Sequence, residues 1–502
     1  MPHGSSVSNF IVLKIIAGGL VMKKIVLLLI LLFVFVFTAV SCGSDTGVET
    51  QTTDTQVIEE TTIEEIVYDY PQMDFGGAEF RFLVLRSNYW GQDINDLWTE
   101  NLDGESLNDA VYERNLEVEN KYNVKITATE TGNVEGDIQM YINAGDDMFH
   151  MIQTRAMNLL GVLAPQSFLY NFYDIPYINY EAPWYDQNCI NELSIANKLF
   201  VISGDVEVSD KIGINCLLFN KNMLDDLQLE SPYEIIRSGG WTMDKFYDTM
   251  ITATHDINGD GELTKDDRWG FIVEDFGGWM LLEAAGCKVA LKDNNDMPYL
   301  NIYNERVETV LQKVMKIMYA TDGRTGSNFL AEDFERMFMN DQALFSYAAM
   351  SSIPPFRDME SDFGIIPLPK FDENQGIYYS PTSGFVARPL GVPISNSKDN
   401  FEMIGVILDA MSRESTDTVK IAYYDKLLHG KIARDDESSE MLDIIFSNIA
   451  YDIGATFNWA GSWFKYQEFF LNKMDNFASF YETYSGVVET EMQKSIDVFK
   501  GN

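Results

Sequence analysis

Cysteine, histidine and basic residues are scarce in this chain of 502 residues, and each shortage excludes something. Four cysteines with no CxxC pair do not make a disulfide framework. Cys189, Cys216 and Cys287 lie far apart and read as small buried residues. The four histidines (His3, His150, His255, His429) are scattered, and none stands in an HExxH pattern. There is no GxSxG for a nucleophile elbow and no P-loop. A pair of carboxylates for glycosidase chemistry carries no weight among 77 Asp and Glu, because such pairs arise anywhere. No catalytic residue is assigned, and a non-enzyme is expected. Lys and Arg number only 36, for a net charge of −41. That charge disfavours nucleic acid and anionic lipid as partners.

Met22-Lys23-Lys24 opens an apolar run from Ile25 to Val40, followed by Ser41-Cys42-Gly43. The run is shorter than the ~20 residues a helix needs to cross a bilayer. Basic residues, an apolar stretch and then small residues (Thr38, Ala39, Ser41) make a cleaved signal. With Cys42 after the small residues, the segment resembles a bacterial lipoprotein signal. The usual Leu three residues before the cysteine is Ala39 here. The resemblance implies that the mature chain starts at Cys42, carries lipid there and is tethered to the outer face of the cytoplasmic membrane. A plain secretory signal or a short membrane anchor is the alternative. Residues 1–21 fit no part of such a signal. Gly18-Gly19 just before Met22 is what a ribosome-binding site read in frame yields. Translation is therefore expected to start at Met22, with 22–41 as the signal.

Residues 1–41 hold three lysines and no acid, so the chain beyond carries 33 Lys and Arg against 77 acids. From Gly43 to about Val67 it is rich in Thr, Glu, Asp and Gln, with no Lys or Arg between Lys24 and Arg81. Such a segment buries too little apolar surface to fold, and 42–73 reads as a flexible acidic tether. The body starts near Asp74, and its hydrophobic content of 46% is ordinary for a globular protein.

Within the body, strands are expected at Ala78–Arg86, Val124–Thr127, Asp147–Gln153, Leu199–Ser203, Ile214–Asn220 and Trp269–Glu274. Helices are expected at Leu107–Lys121 and Ala156–Leu163. Thr242 can cap a helix in which Met243, Phe246 and Met250 share a face. Val307, Val310, Leu311, Val314, Ile317 and Met318 mark another amphipathic helix. After about Asn400 the pattern is almost wholly helical, and no internal repeat is present. Strands alternating with helices argue for an α/β architecture with largely parallel sheets.

The order and phrasing of these segments resemble the family 1 extracellular solute-binding proteins, the carbohydrate-type receptors of ABC importers. SLNDAVYERNLEVENKYNVKI (106–126) looks like the family's first helix and second strand. GDDMFHMIQTRAMNLLGVLAP (145–165) looks like its third strand and following helix. The stretch 199–227 is similar to its first crossing between lobes. GGWTMDKF (239–246), DINGDGELTKDDRWGF (256–271), FERMFMNDQALFSYAAM (334–350), FGIIPLPK (363–370) and GFVARPL (384–390) follow in the family's order. Asn340-Asp341-Gln342-Ala343 stands where the family usually has a Gly-Lys-Ala turn. ARDDESSEMLDII (433–445) resembles a branch common in anaerobic Gram-positive bacteria. The resemblance implies a two-lobed fold of the periplasmic-binding-protein (Venus flytrap) type, with a hinge and a helical C-terminal part. By that analogy 74–205 plus 348–385 form the first lobe, and 212–345 plus 390–500 the second. It further implies a monomer that binds a sugar or oligosaccharide and delivers it to the transmembrane subunits of a permease. A glycan-processing enzyme, or a glycan-adhesion protein with no transporter, is the alternative.

A sugar presents hydroxyl edges and apolar C–H faces, so its receptor needs aromatic planes together with carboxylates, amides or Arg. Open α/β sheets place ligands beyond the C-terminal ends of their strands. The candidates chosen there are Asn88, Tyr89 and Trp90 after the first strand, Thr154 and Arg155 after DMFHMIQ, and Asp205, Glu207 and Asp210 at the first crossing. Trp279, Tyr347, Asn458 and Trp459 complete the set. Arg155 and Asp205 are equally readable as an ion pair between lobes. The sharpest local motif is Asp256–Asp267, which fits D-x-[DN]-x-[DN]-G through position 6. Asp256, Asn258, Asp260, the Glu262 backbone and Asp267 would supply oxygens to a structural calcium. Asp267 replaces the bidentate Glu of position 12, which predicts weak binding, and a metal-free acidic turn is the alternative.

Overall fold

Alternating apolar residues make Ala78–Leu85 the first strand, β1, with Phe80 and Phe82 fully buried. In the computed structural model the described residues are 72–86, 94–274, 276–319, 331–428 and 436–501, and Tyr70–Asn502 form one unit. The signal, Cys42 and nearly all of the tether lie outside the described residues, as do Asn88, Tyr89 and Trp90. Among the described residues no helix is long and apolar enough to cross a membrane.

Helix α1 (Ser106–Tyr122) follows β1. Leu107, Val111, Val118 and Tyr122 recur at steps of four and seven residues, on one helix face, and are buried. Each such side chain contributes about 1.5–3 kcal/mol when fully buried. Glu105 caps the helix by accepting from Asn108 N, and Asn123 ends it in the left-handed conformation. β2 (Val124–Thr131) then pairs parallel with β1, Ala78 opposite Val124. Helix α2 (Val134–Ala144) leads to β3 (Met151–Gln153), parallel to β1 on its other side.

The second sheet is built on β4 (Asn215–Asn220), a strand buried along its whole length. Helix α3 (Met243–Ala253) is capped by Thr242, whose hydroxyl accepts from Lys245 N. β5 (Trp269–Ile272), helix α4 (Gly277–Ala284), the hairpin β6 (Ala290–Lys292) and β7 (Pro298–Leu300), and helix α5 (Glu305–Tyr319) follow. β8 (Ala343–Ala349) pairs antiparallel with β4 and parallel with β5, and β9 (Phe363–Ile366) closes the other edge of β4. Trp241, Phe246, Phe271 and Phe345 fill the core beneath this sheet, edge to face at 5.0–5.6 Å apart from the tilted Trp241–Phe345 pair at 5.7 Å.

The chain then returns. β10 (Ser380–Pro381) precedes β11 (Leu390–Gly391), which adds antiparallel to β3 and gives the first sheet the order β11-β3-β1-β2. Helices α6 (Phe401–Thr416) and α7 (Val419–Leu428) pack on α1, whereas α8 (Asp436–Ser447) packs on β9. β12 (Ile449–Ala450) pairs parallel with β10. Helices α9 (Ser462–Leu471) and α10 (Phe477–Lys500) complete the chain.

Three assignments differ from the expected division. Phe363–Ile366, expected with the first lobe, hydrogen-bonds to β4 of the second sheet. Leu390–Gly391, expected with the second, completes the first sheet, and α6 and α7 cover α1 on the same side. The cause is edge pairing, because β3 and β4 each have one open edge and take whichever later segment satisfies their backbone groups. Leu199–Ser203 forms only an isolated bridge, Ile202 to Leu390. The helix expected at Ala156–Leu163 begins as α and widens to a π-turn at Leu159–Leu163.

Candidate functional site

Extended segments cross between the two sheets side by side. Ile214 bridges Thr382, and Ser380 and Pro381 pair with Ile449 and Ala450. Ser383 N donates to Gly213 O at 3.0 Å. A Cβ at Gly213 would lie 3.0 Å from Ala387 N, so this close approach favours glycine. These crossings sit where the hinge of a two-lobed protein is needed.

The first crossing is held from inside. Asp96, buried, accepts from Val208 N at 2.9 Å, Ser209 N at 2.8 Å and the Gln153 amide at 3.2 Å. Arg114 reaches from α1 to Val206 O at 2.8 Å and Ser415 Oγ at 3.1 Å. Burial lowers the Arg114 guanidinium to about 10. The three carboxylates expected to face ligand are part of this framework. Asp205 accepts from Thr416 Oγ1 at 3.0 Å and Lys420 Nζ at 3.2 Å. Asp210 pairs with Lys211 at 2.9 Å, both buried, and burial pushes its carboxyl up to about 6 against the pull of Lys211. Glu207 accepts from Ser203 Oγ at 2.8 Å, while its Oε2 has no partner among the described residues. Burial pushes the Glu207 carboxyl well above its usual range. The structure therefore places Asp205, Glu207 and Asp210 inside the crossing, not on an open surface. The Arg155–Asp205 ion pair does not form.

Aromatic side chains collect beside the crossings. Tyr347, at the end of β8, donates its hydroxyl to Asn215 Oδ1, and the Asn215 amide donates to Pro381 O at 2.9 Å. The Phe276 ring meets Tyr347 edge to face at 5.4 Å, and Phe276 directly precedes α4. Arg155, half-buried at the end of β3, lies over the Phe385 ring at 4.4 Å. Phe385 meets Phe464 at 6.2 Å and 80°, and Phe464, on α9, is 49% exposed. α9 packs on α4. Sequence reasoning selected Arg155 and Tyr347 but missed Phe276, Phe385 and Phe464. Phe276 carries a usable signal, a ring two residues beyond Glu274 and immediately before Gly277-Gly278.

Other candidates lie elsewhere. Trp279 is fully buried and stacked on Tyr466 at 5.0 Å and 12°, so it is core, with its α-helical neighbour Gly278 against Phe470. Thr154 is buried and donates to Glu135 Oε1 at 2.7 Å. Asn458 adopts the left-handed conformation and accepts from Trp463 N at 3.0 Å, shaping the start of α9. Trp459 is 3% exposed, stacks on Phe457 at 5.2 Å and donates to Ser495 Oγ at 2.9 Å. A pocket of about 470 Å³ opens beside these two, lined by Gly161, Glu491, Lys494 and Asp497. A small pocket of about 20 Å³ lies at the C-terminal end of β1, among Leu85, Ile94, Asp96, Trp98 and Gln153.

The acidic loop closes on itself. Asp256 accepts from Gly259 N and Gly261 N, Asn258 from Asp260 N, and Asp260 from Glu262 N, at 2.6–2.8 Å. Asp267 is buried and accepts from Ile257 N at 3.0 Å and Thr264 N at 2.7 Å. The Thr264 backbone, first among these donors, holds the Asp267 carboxyl below its usual range. The donors are all oxygens, as calcium requires. Among the described residues, however, no three His, Cys, Asp or Glu side chains are arranged to hold a metal. The fit is therefore partial.

No family model matches the chain, and no curated protein sequence matches it. Solved structures do. An ABC substrate-binding protein from Listeria monocytogenes, in complex with cycloalternan, aligns with a TM-score of 0.51 at 12% identity over 85% of this chain and 99% of that one. The galacto-N-biose-/lacto-N-biose I-binding protein of an ABC transporter from Bifidobacterium longum, in complex with lacto-N-biose, gives 0.53 at 12% over 85% and 98%. UgpB from Mycobacterium tuberculosis, in complex with glycerophosphocholine, gives 0.52 at 12% over 84% and 98%. The chain has the two-lobed α/β fold of carbohydrate-type ABC solute-binding proteins.

Proposed function

We propose that this chain is the extracellular receptor of an ABC importer, binding a carbohydrate, most simply an oligosaccharide, between its lobes. The observation that carries this reading is two aromatic pairs, Phe276 with Tyr347 and Phe385 with Phe464, beside the crossings. Rings there offer stacking planes to sugar faces, and extended crossings allow hinge closure. The sugar complexes of fold relatives support it. A lipid on Cys42 would hold the receptor at the membrane as a monomer, with its tether reaching toward the permease. The Asp256–Asp267 loop is proposed as a weak structural calcium site.

The test is thermal unfolding of the chain against a panel of mono- and oligosaccharides, with calcium or a chelator. A ligand bound only by the folded state adds about 2.7 kcal/mol at a hundredfold excess over its Kd. A raised midpoint with the sugar recovered intact supports the receptor. A consumed sugar would move the assignment to an enzyme, and no response would move it to adhesion or another solute. Unchanged midpoint and fluorescence at millimolar calcium would remove the metal site. Mass spectrometry of the processed chain checks the lipid on Cys42.

A further inference from the structure

Acids outnumber bases about two to one in this chain, and several of its cations are matched by a carboxylate. Arg86 pairs with Glu130, Lys211 with Asp210, Lys288 with Glu192 and Lys420 with Asp205. Among the described residues Arg155 has no such partner. It is half-buried at the end of β3, yet among the described residues no carboxylate lies within ion-pair distance of it.

The acids that bond to its chain neighbours or lie in the first crossing are engaged elsewhere. Glu135 receives Thr154 Oγ1 and Asn158 Nδ2, each at 2.7 Å, from residues flanking Arg155. Asp205 is held by Thr416 and Lys420, Asp210 by Lys211, and Glu207 by Ser203. The guanidinium instead lies over the Phe385 ring at 4.4 Å. Contact with a ring face uses no N–H donor in a hydrogen bond, so the donors stay available to a planar, bidentate acceptor. Beside it stands the half-exposed Phe464 ring.

We propose that the ligand is an acidic saccharide whose carboxylate is received by Arg155 while its apolar face stacks on Phe385 and Phe464. This rests on the receptor reading above and names the ligand class within it. Neutral sugars present hydroxyls that both donate and accept, whereas a carboxylate only accepts. Arg offers donors only. A uronic acid joins a C–H face to a carboxylate on one ring, matching an aromatic plane with an unmatched cation at its edge. The overall negative charge does not oppose this at contact, because exposed charges beyond about 8 Å are largely screened at physiological salt.

The experiment is calorimetric titration of the full chain in detergent with matched pairs. These are oligogalacturonides against neutral galacto-oligosaccharides, and glucuronate-bearing xylo-oligosaccharides against unsubstituted ones. At least one acidic member is expected to bind tenfold or more tightly than its neutral counterpart, with the preference falling as salt rises from 50 to 500 mM. Arg155→Gln should abolish the preference and Arg155→Lys retain part of it. If the Gln variant does not fold, the Lys variant and the salt series of the unaltered chain still decide. Tight binding of a neutral sugar with no acidic preference, or a preference untouched by Arg155→Gln, overturns the inference and leaves the receptor standing. Binding of no saccharide overturns both.

Discussion

Asp409→Asn isolates one buried charge whose effect can be sized from its surroundings. Asp409 lies on α6 and is fully buried. Its Oδ1 accepts from Asn179 N at 3.1 Å, Tyr185 OH at 3.0 Å and Trp184 Nε1 at 3.4 Å. Its Oδ2 has no partner among the described residues. Burial pushes the carboxyl from 3.8 up to about 7, with the Asn179 backbone and Arg413 pulling the other way. Between these two values the folded chain holds more protons than the unfolded chain, so this group makes stability fall as pH rises across that window. At 1.36 kcal/mol per pH unit, the full separation costs about 4 kcal/mol above pH 7. Lowering pH from 8 to 6 should recover about 1 kcal/mol of it, and from 8 to 5 about 3 kcal/mol. Asn keeps the Oδ1 acceptor and has no charge to titrate. Urea unfolding of both proteins between pH 5 and 8 gives the difference, in which background acids such as Asp210 and Asp452 cancel. The unaltered chain should gain on the variant by about 1–3 kcal/mol as pH falls from 8 to 5. A difference that is flat, or that grows as pH rises, would refute a buried, destabilising Asp409 carboxylate.

Trp279→Ala should lower stability by about 3–5 kcal/mol in denaturant, because its ring fills core against Tyr466. Phe464→Ala should leave stability within about 0.5 kcal/mol, its ring being half exposed, yet weaken sugar binding by several-fold in calorimetry. Gly405→Ala places a Cβ 1.8 Å from Pro176 O, so thermal unfolding should show a loss of about 1–3 kcal/mol or more. Asp267→Ala removes the acceptor of Ile257 N and Thr264 N and should cost about 1–3 kcal/mol with or without calcium; full rescue by calcium would contradict this.

The elements that could be read locally were legible. α1 and α5 show their buried faces as three- and four-residue steps, and the Thr242 cap is a side chain beside its own helix. β9 and β11 carry no such signal for their partners. Two to four buried residues pair equally well with either sheet, and the choice rests on which distant edge is open. The site was partly legible for the same reason. Arg155 follows β3 and Tyr347 lies near the C-terminal end of β8, both beside the crossings. Trp279 also follows a strand, but its fate was decided by Tyr466, far along the chain. Asp205, Glu207 and Asp210 sit in a run that is buried without break from Leu199 to Asn220, a depth that local composition does not announce. Phe385 and Phe464 are two among 32 phenylalanines, and only the folded crossings bring them together.

The late closure of the first sheet bears on how the molecule is made. A ribosome has produced β1, β2 and β3 by residue 153, yet their open edge stays unfilled until Leu390–Gly391 is synthesised, and α1 stays uncovered until α6 and α7 follow. β4 likewise waits for residues 343–366 to supply both its neighbours. Pairings so distant in sequence are slow to form. For most of its synthesis the nascent chain therefore exposes unpaired strand edges and apolar faces that holding chaperones recognise. What makes the two sheets one molecule also keeps the newborn polypeptide unlocked until about residue 428, in the threadable state that the extracellular role proposed above would require.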